Sequence, residues 1–191
     1  MAEEQTKIKL SILIPSTFDR EKMLKELTTE LNRQRLGLPV QLLVLKDNYE
    51  ATIGEKRNRL VESSIGEYIA FIDSDDFISP DYIQTLLTGI ETNPDCISLR
   101  GEITIDGGKP EIFEHSITHD KWETTTGAIK YLRNPNHLNC IKRSIAIQVK
   151  FPEISHGEDS AWSKELHEKG LLKSEYYTDK ILYYYRYKTN K

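Results

Sequence analysis

At 191 residues, with 38% hydrophobic and 29% charged side chains, the chain is long enough for one domain with a substantial core and has a globular balance. A net charge of −4 and a pI near 5.8 argue against generic nucleic-acid binding, which needs a dominant positive field. No apolar stretch approaches the roughly 20 residues that span a bilayer, the acidic start Met1-Ala2-Glu3-Glu4-Gln5 is unlike a secretory signal, and Cys96 and Cys140, without metal-ligand spacing, are expected as reduced core thiols of a cytoplasmic protein.

The first strand is expected over residues 8–14, stopped by Pro15. Asp19 is placed to cap a helix reaching about Gln34, with Met23, Leu24, Leu27 and Leu31 at helical spacing. Gly37 and Pro39 punctuate, and residues 40–45 read as a second buried strand ending at Lys46-Asp47-Asn48. A polar loop leads to Gly54, and residues 55–64 read as a short helix that Gly66 closes at a C′-type position. The third strand, residues 68–72, is an apolar run that ends abruptly in Asp73-Ser74-Asp75-Asp76. Ser79 is placed to cap the next helix, with Pro80 in its first turn and Asp81 near its positive end, running to about Glu91. This alternation predicts a parallel sheet with helices on its faces.

After residue 91 the pattern changes. A strand is expected over 96–100, and residues 102–105 and 111–114 flank Asp106-Gly107-Gly108 as a hairpin. Helices are expected over 124–132, 143–148 and 158–168, the last with Ala161, Trp162, Glu165 and Leu166 along one side. Tyr176-Tyr177 and residues 181–187 are strand-like, and Tyr183, Tyr184, Tyr185 and Tyr187 suit a partly buried strand whose exposed edge could serve a dimer. No repeat, low-complexity tract or linker marks a second domain.

The chemistry concentrates at strand ends. Three carboxylates within four residues repel one another, and a hard divalent cation is their usual partner, one that also bridges to substrate phosphates. Four polar clusters follow a predicted strand or loop: Pro15-Ser16-Thr17-Phe18-Asp19-Arg20, Asp47-Asn48, Gly54-Glu55-Lys56-Arg57-Asn58 and Asp73-Ser74-Asp75-Asp76. A parallel sheet gathers such clusters at one edge, where α/β sheets bind ligands. Hydroxyls and Asp47 suit a base and ribose, Arg20, Lys56 and Arg57 suit phosphates, and the fork of Arg57 suits a diphosphate in particular.

The order and spacing of these clusters resembles the family 2 glycosyltransferases, of GT-A fold. The matching text is Ser11-Ile12-Leu13-Ile14-Pro15, then Gly54 through Arg57-Asn58, then Gly66 through Asp76, then His156-Gly157-Glu158-Asp159, so the resemblance spans roughly Lys9 to Trp162. A lone Asp-x-Asp is a weak signal, whereas this ensemble is strong. The resemblance implies a Rossmann-like, mostly parallel sheet flanked by helices with a small antiparallel extension. It implies a single domain over 1–191, with a nucleotide-sugar half at about 8–100 and an acceptor half at about 101–191. Pro15, Thr17 and Asp47 would line the base pocket, with Arg20, Lys56 and Ser74 in the same donor site. Arg57 would approach the base or diphosphate, Asp73 the ribose, and Asp75 a Mn²⁺ or Mg²⁺ ion. Asp159 would be the catalytic base beside Glu158, moving a sugar with inversion from a UDP-sugar to a hydroxyl. The family's second strand commonly ends in two acids, and here Asp47 stands alone in that place.

Several residues admit plainer readings. Glu158 and Asp159 alone would merely compensate a helix dipole. His115, His119, His137 and His167 are expected to be structural or exposed, and His156, beside Gly157, is the one expected to touch donor or acceptor. Trp162 reads as core, while Trp122 suits either packing or stacking on a sugar. Residues 1–123 carry 14 Lys/Arg against 23 Asp/Glu, and residues 124–191 carry 12 against 7. Residues 124–152 hold Lys130, Arg133, Lys142, Arg143 and Lys150 with no acid, which reads as a solvated basic face or as a dock for an anionic acceptor, such as a hydroxylated base in DNA or a phosphorylated glycan. Nucleotidyl transfer is disfavoured because residues 15–20 lack the glycines of a triphosphate loop. A non-catalytic binding module is disfavoured by the joint presence of Asp73, Asp75, Glu158 and Asp159.

Overall fold

The computed structural model describes residues 7–189, so the acidic start at residues 1–5 lies outside the described residues. Strand β1 (Leu10–Thr17) leads through a single 3-10 turn (Phe18–Arg20) into α1 (Glu21–Gln34). Then follow β2 (Val40–Asp47), α2 (Ile53–Ser63), β3 (Tyr68–Phe71), β4 (Phe77–Ile78) and α3 (Tyr82–Glu91). The second half comprises β5 (Cys96–Ile97), β6 (Leu99–Ile105), β7 (Glu111–His115), β8 (Glu123–Thr124), β9 (Ile129–Arg133), β10 (Cys140–Lys142), α4 (Arg143–Ala146), α5 (Glu158–Glu168), β11 (Glu175–Tyr176) and β12 (Ile181–Tyr187).

These strands form two six-stranded sheets, ordered β11-β5-β10-β3-β1-β2 and β4-β12-β6-β7-β9-β8. In the first, β1, β2 and β3 are parallel. Side chains alternate across a strand, so each strand feeds two cores. Leu10, Ile12 and Ile14 of β1, with Tyr68 and Ala70 of β3, pack with Leu24, Leu27 and Leu31 of α1 and Ile83 and Leu86 of α3. Leu13, Ile69 and Phe71 face the other way, onto Leu60 of α2 and Trp162 and Leu166 of α5. Trp162 is core, as expected. It stacks on Phe151 at 4.7 Å and 8°, and its Nε1 donates to the Val149 carbonyl at 3.0 Å. Cys96 and Cys140 are buried free thiols.

Several local expectations are corrected. Pro15 does not stop β1: beyond Leu13 the strand pairs only with β2, so a missing N–H can face a side without a ladder. Lying at the sheet edge, β2 is only partly buried. Asp19 and Ser79 cap no helix, and Thr52 does instead, forming a capping box with Glu55 at the start of α2. Gly66 has no positive φ, and its value is space: a Cβ there would lie 2.6 Å from the Ser11 amide nitrogen. The strand expected over 96–100 breaks at Ser98, where the chain passes from the first sheet to the second. On α5 the buried face uses Ser163 and not Ala161.

The largest correction concerns residues 124–132, which form no helix. Thr125 instead builds a turn, its Oγ1 accepting from Gly127 N at 3.1 Å and donating to the Ile129 carbonyl at 2.5 Å, and β9 follows. The expected small hairpin is therefore one part of a full second sheet. Its tyrosine-rich strand β12 lies between β4 and β6, so Tyr183 and Tyr184 present no free edge. Among the described residues, no helix is long and apolar enough to cross a membrane.

Gly54 fixes how α2 meets the loop before α5. Its N–H donates to the Ile154 carbonyl at 3.1 Å, and a Cβ would stand 1.8 Å from the Pro152 carbonyl oxygen. Overpacking costs about 1–3 kcal/mol, so Gly54→Ala should lower the melting temperature by roughly 3–10 °C. Gly127→Ala, whose new Cβ would meet only the Thr125 hydroxyl at 3.5 Å, should lower it little. Equal shifts in the two variants would remove this role of Gly54.

Candidate active site

The parallel register brings the predicted clusters to one edge of the first sheet: Thr17 pairs with Asp47, and β3 ends beside them just before Asp73. Asp47 is consumed locally. Its carboxylate accepts from Tyr49 N at 3.2 Å and Ala51 N at 2.9 Å and pairs with Lys56. Burial acts against its ionised form, but Lys56 and these amides hold its carboxyl below the usual range. Lys56 is 1% exposed and also donates to the Ser16 carbonyl at 3.0 Å, so it ties β1, β2 and α2 together. Arg20 Nη1 meets Asp75 Oδ1 at 2.9 Å. Ser74 is fully buried.

The acidic loop is held from beneath. Asp76 accepts from the Tyr183 hydroxyl at 2.8 Å and from Arg186 N at 3.1 Å, while Asp73 N donates to that same hydroxyl at 3.1 Å. Burial, then the neighbouring charges of Asp73 and Asp75, push the Asp76 carboxyl well above its ordinary value. Asp76 therefore serves as an anchor inside the fold.

Beyond this edge opens a cleft of about 540 Å³. One face of the second sheet forms its floor: alternate residues Ile103, Ile105, Phe113, His115, Tyr131, Arg133, Tyr185 and Tyr187. Opposite stand Asp73, Arg57, residues 155–160 and residues 136–138, with Trp122 also lining it. The sequence-derived site residues thus divide. Arg57, Asp73, His156, Glu158, Asp159 and Trp122 line the cleft, whereas Pro15, Thr17, Arg20, Asp47, Lys56, Ser74 and Asp75 do not.

Arg57 is the hub of the cleft wall. Its Nη1 meets Glu158 Oε1 at 2.5 Å, its Nη2 meets Asp73 Oδ1 at 3.1 Å, and the guanidinium lies 5.8 Å from the Phe71 ring centre and 5.6 Å from that of Phe151. Burial acts against the charge on Asp73, but Arg57, and after it His137, hold its carboxyl far below the usual carboxylate range. Glu158, at the start of α5, is buried against Arg57. Its neighbour Asp159 has a side chain 30% exposed on the cleft. The two acids thus differ in what they can do: Glu158 is committed to a buried ion pair, and Asp159 can reach a bound molecule.

Among the histidines, His137 lies inside the cleft wall. It is 5% exposed, with Nε2 3.7 Å from Asp73 Oδ2 and Nδ1 3.7 Å from Asp159 Oδ2. Neither ring nitrogen makes a hydrogen bond within the described residues. It therefore stands between the predicted donor carboxylate and the predicted base. Its only sequence signal is a polar run, Asn134-Pro135-Asn136-His137, with no diagnostic spacing. His156 is exposed on the rim.

Among the described residues no three His, Cys, Asp or Glu side chains converge on one point to cage a metal. The carboxylates at 73 and 75 do suit the other mode, in which one or two carboxylates and the substrate's phosphates share a Mg²⁺-type ion.

The sequence model of glycosyl transferase family 2 matches residues 52–151. The chain belongs to that family. It is 33% identical over 146 residues to the putative glycosyltransferase EpsH of Bacillus subtilis (strain 168), covering 70% of this chain and 41% of EpsH. It is 36% identical over 63 residues to the glucosyl-dolichyl phosphate glucuronosyltransferase of Haloferax volcanii, covering 32% of this chain and 20% of that protein. The chain thus spans less than half the length of either curated relative. S. aureus TarS (residues 1–349), solved with UDP and with UDP-GlcNAc, superposes with a TM-score of 0.67 in both. Sequence identity there is 19% and 18%, covering 93% and 96% of this chain and 60% of that 1–349 chain in each case. The fold is GT-A.

Proposed function

We propose that this chain transfers a sugar from a nucleotide diphosphate, a UDP-sugar foremost, to a hydroxyl acceptor, with inversion at the anomeric carbon. The observation that carries the reading is the placement of Asp159 on the cleft, across His137 from Asp73. Solved neighbours with UDP and UDP-GlcNAc support the choice of donor. Asp159 would take the proton from the acceptor hydroxyl. The freed oxygen would attack the anomeric carbon opposite the leaving group, and the bonding electrons would depart with the nucleotide diphosphate. Asp75, with Asp73, would hold Mn²⁺ or Mg²⁺, which when bound supplies charge neutralisation at the diphosphate. Arg57 would keep Asp73 ionised and Glu158 in place.

The test is a thermal-shift screen of UDP-, GDP- and CDP-sugars with and without Mn²⁺. A donor at 100 times its Kd stabilises by about 2.7 kcal/mol, or roughly 5–10 °C here. UDP-sugars should give this shift only with metal, and Asp75→Ala should abolish it. No shift with any nucleotide would overturn the reading.

A further inference from the structure

The basic segment predicted as a single face is dispersed by the fold. Lys130 lies 3.8 Å from Glu111 and Lys150 3.6 Å from Glu62, Lys142 donates to the Asn93 carbonyl, and Arg143 donates to Ser64 and the Val61 carbonyl. Only Arg133 of the five lines the cleft. Its Nη1 donates to the Glu123 and Leu132 carbonyls at 2.7 and 2.8 Å, which fixes the guanidinium without neutralising it. The group lies 5.0 Å from the Trp122 ring centre and 5.4 Å from that of Tyr131. No carboxylate among the described residues pairs with it, and its Nε and Nη2 donors have no protein acceptor there. Its register partner His115 is kept neutral, burial pushing that imidazole down to about 3. The positive charge of this wall is therefore that of Arg133.

A fixed fork with spare donors, flanked by aromatic rings, is a receptor for a planar or tetrahedral anion carried on a ring. The opposite side of the same cleft carries Asp73 and Asp159. An acceptor with an anion at one end and a neutral, nucleophilic hydroxyl at the other matches this charge distribution. An acceptor anionic throughout would be repelled by the carboxylate end. We propose that Arg133 and Trp122 form an acceptor subsite for an anionic sugar unit, bearing a carboxylate or a phosphate. This rests on the glycosyltransferase reading and specifies its acceptor.

The reporter is built in, since the chain has two tryptophans and Trp162 is buried while Trp122 is 46% exposed. Methyl glucoside, methyl glucuronoside and glucose 6-phosphate are titrated against the full chain, following tryptophan fluorescence, with Trp122→Phe as the control for signal origin. One of the anionic probes should bind at least about tenfold more tightly than methyl glucoside, the size expected for hydrogen bonds to a charged group. Which of the two does so separates carboxylate from phosphate recognition. Arg133→Gln should erase the preference, Arg133→Lys should keep part of it, and added salt should reduce it. UDP binding, read by thermal shift in the same samples, should be unchanged in both Arg133 variants and so certifies their fold. Equal affinity for the three probes in wild type, or a preference that survives Arg133→Gln, overturns the subsite while UDP binding leaves the transferase reading standing. An anion preference without a shift from any of the UDP-, GDP- or CDP-sugars, with Mn²⁺ present, would keep the sugar site and overturn the transferase reading.

Discussion

Asp159→Asn is expected to reduce sugar transfer by about 10²–10⁴-fold, the usual contribution of a positioned general base, while leaving UDP-sugar binding unchanged. The expectation follows from the unequal environments of two adjacent acids. Glu158 is buried on Arg57, whereas Asp159 has no such partner and faces the cleft. The asparagine keeps size and polarity and removes only the capacity to take a proton. The measurement is UDP release and product formation with the donor found by thermal shift, alongside donor affinity from the same screen. Transfer within tenfold of wild type would remove Asp159 from the role of base. A Glu158→Gln variant that keeps its melting temperature but loses transfer would pass the role to Glu158.

Arg57→Met should be the most destabilising single change in the cleft wall. It leaves two acids, Glu158 and Asp73, beside the vacated position. Breaking a buried pair from one side costs about 3–5 kcal/mol because the surviving charge has lost its compensation. By the size scaling of thermal unfolding that is a fall of roughly 10 °C or more. Methionine fills similar volume, so the loss reports charge more than packing. The double variant Arg57→Met/Glu158→Gln should recover a substantial part of it. Acid adds an independent check on the same residue. The Asp73 pKa is depressed in the folded state, so its stabilising contribution is full above the ordinary carboxylate range and lost as pH falls through the lower folded value. Wild type should therefore lose stability on acidification more steeply than Arg57→Met. Denaturation by urea across pH measures both effects, and an Arg57→Met protein as stable as wild type would sink them together.

The first half of the fold was legible because its physics is local. Residues 68–72 are a continuous apolar run and residues 8–14 are apolar apart from Lys9 and Ser11, as suits strands covered on both faces, and Leu24, Leu27 and Leu31 mark the inner side of α1. The start of α5 was legible from Gly157 and the two acids behind it. The second sheet was legible only in part: strands at 102–105, 111–114 and 181–187 were expected and form, whereas β9 and the assembly of all six strands into one sheet were not expected. Its inward residues alternate with ordinary polar ones, and the turn that starts β9 depends on Thr125 bonding, which Thr-Thr-Gly-Ala does not announce. At the site, the carboxylates announced themselves by position after a strand. Their partners did not, because Arg57 and Glu158 are 101 residues apart and His137 owes its place to packing between two acids that no spacing connects. Arg133 was visible only as one of five cations, and the fold sends the other four elsewhere.

The anchoring of the acidic loop has a temporal side. Asp73 to Asp76 take their shape from the Tyr183 hydroxyl and the Arg186 amide, partners 107 and 110 residues further along the chain for Asp76. Contacts of such separation form late, after loop closure has been met by other pairings. On a ribosome, the parallel core β1-β2-β3 can assemble while the carboxylates at its edge are still unmoored. The acidic loop gains these anchors only when residue 186 has emerged and β12 has slotted between β4 and β6, so its shape is completed only after nearly all of this fold has been made.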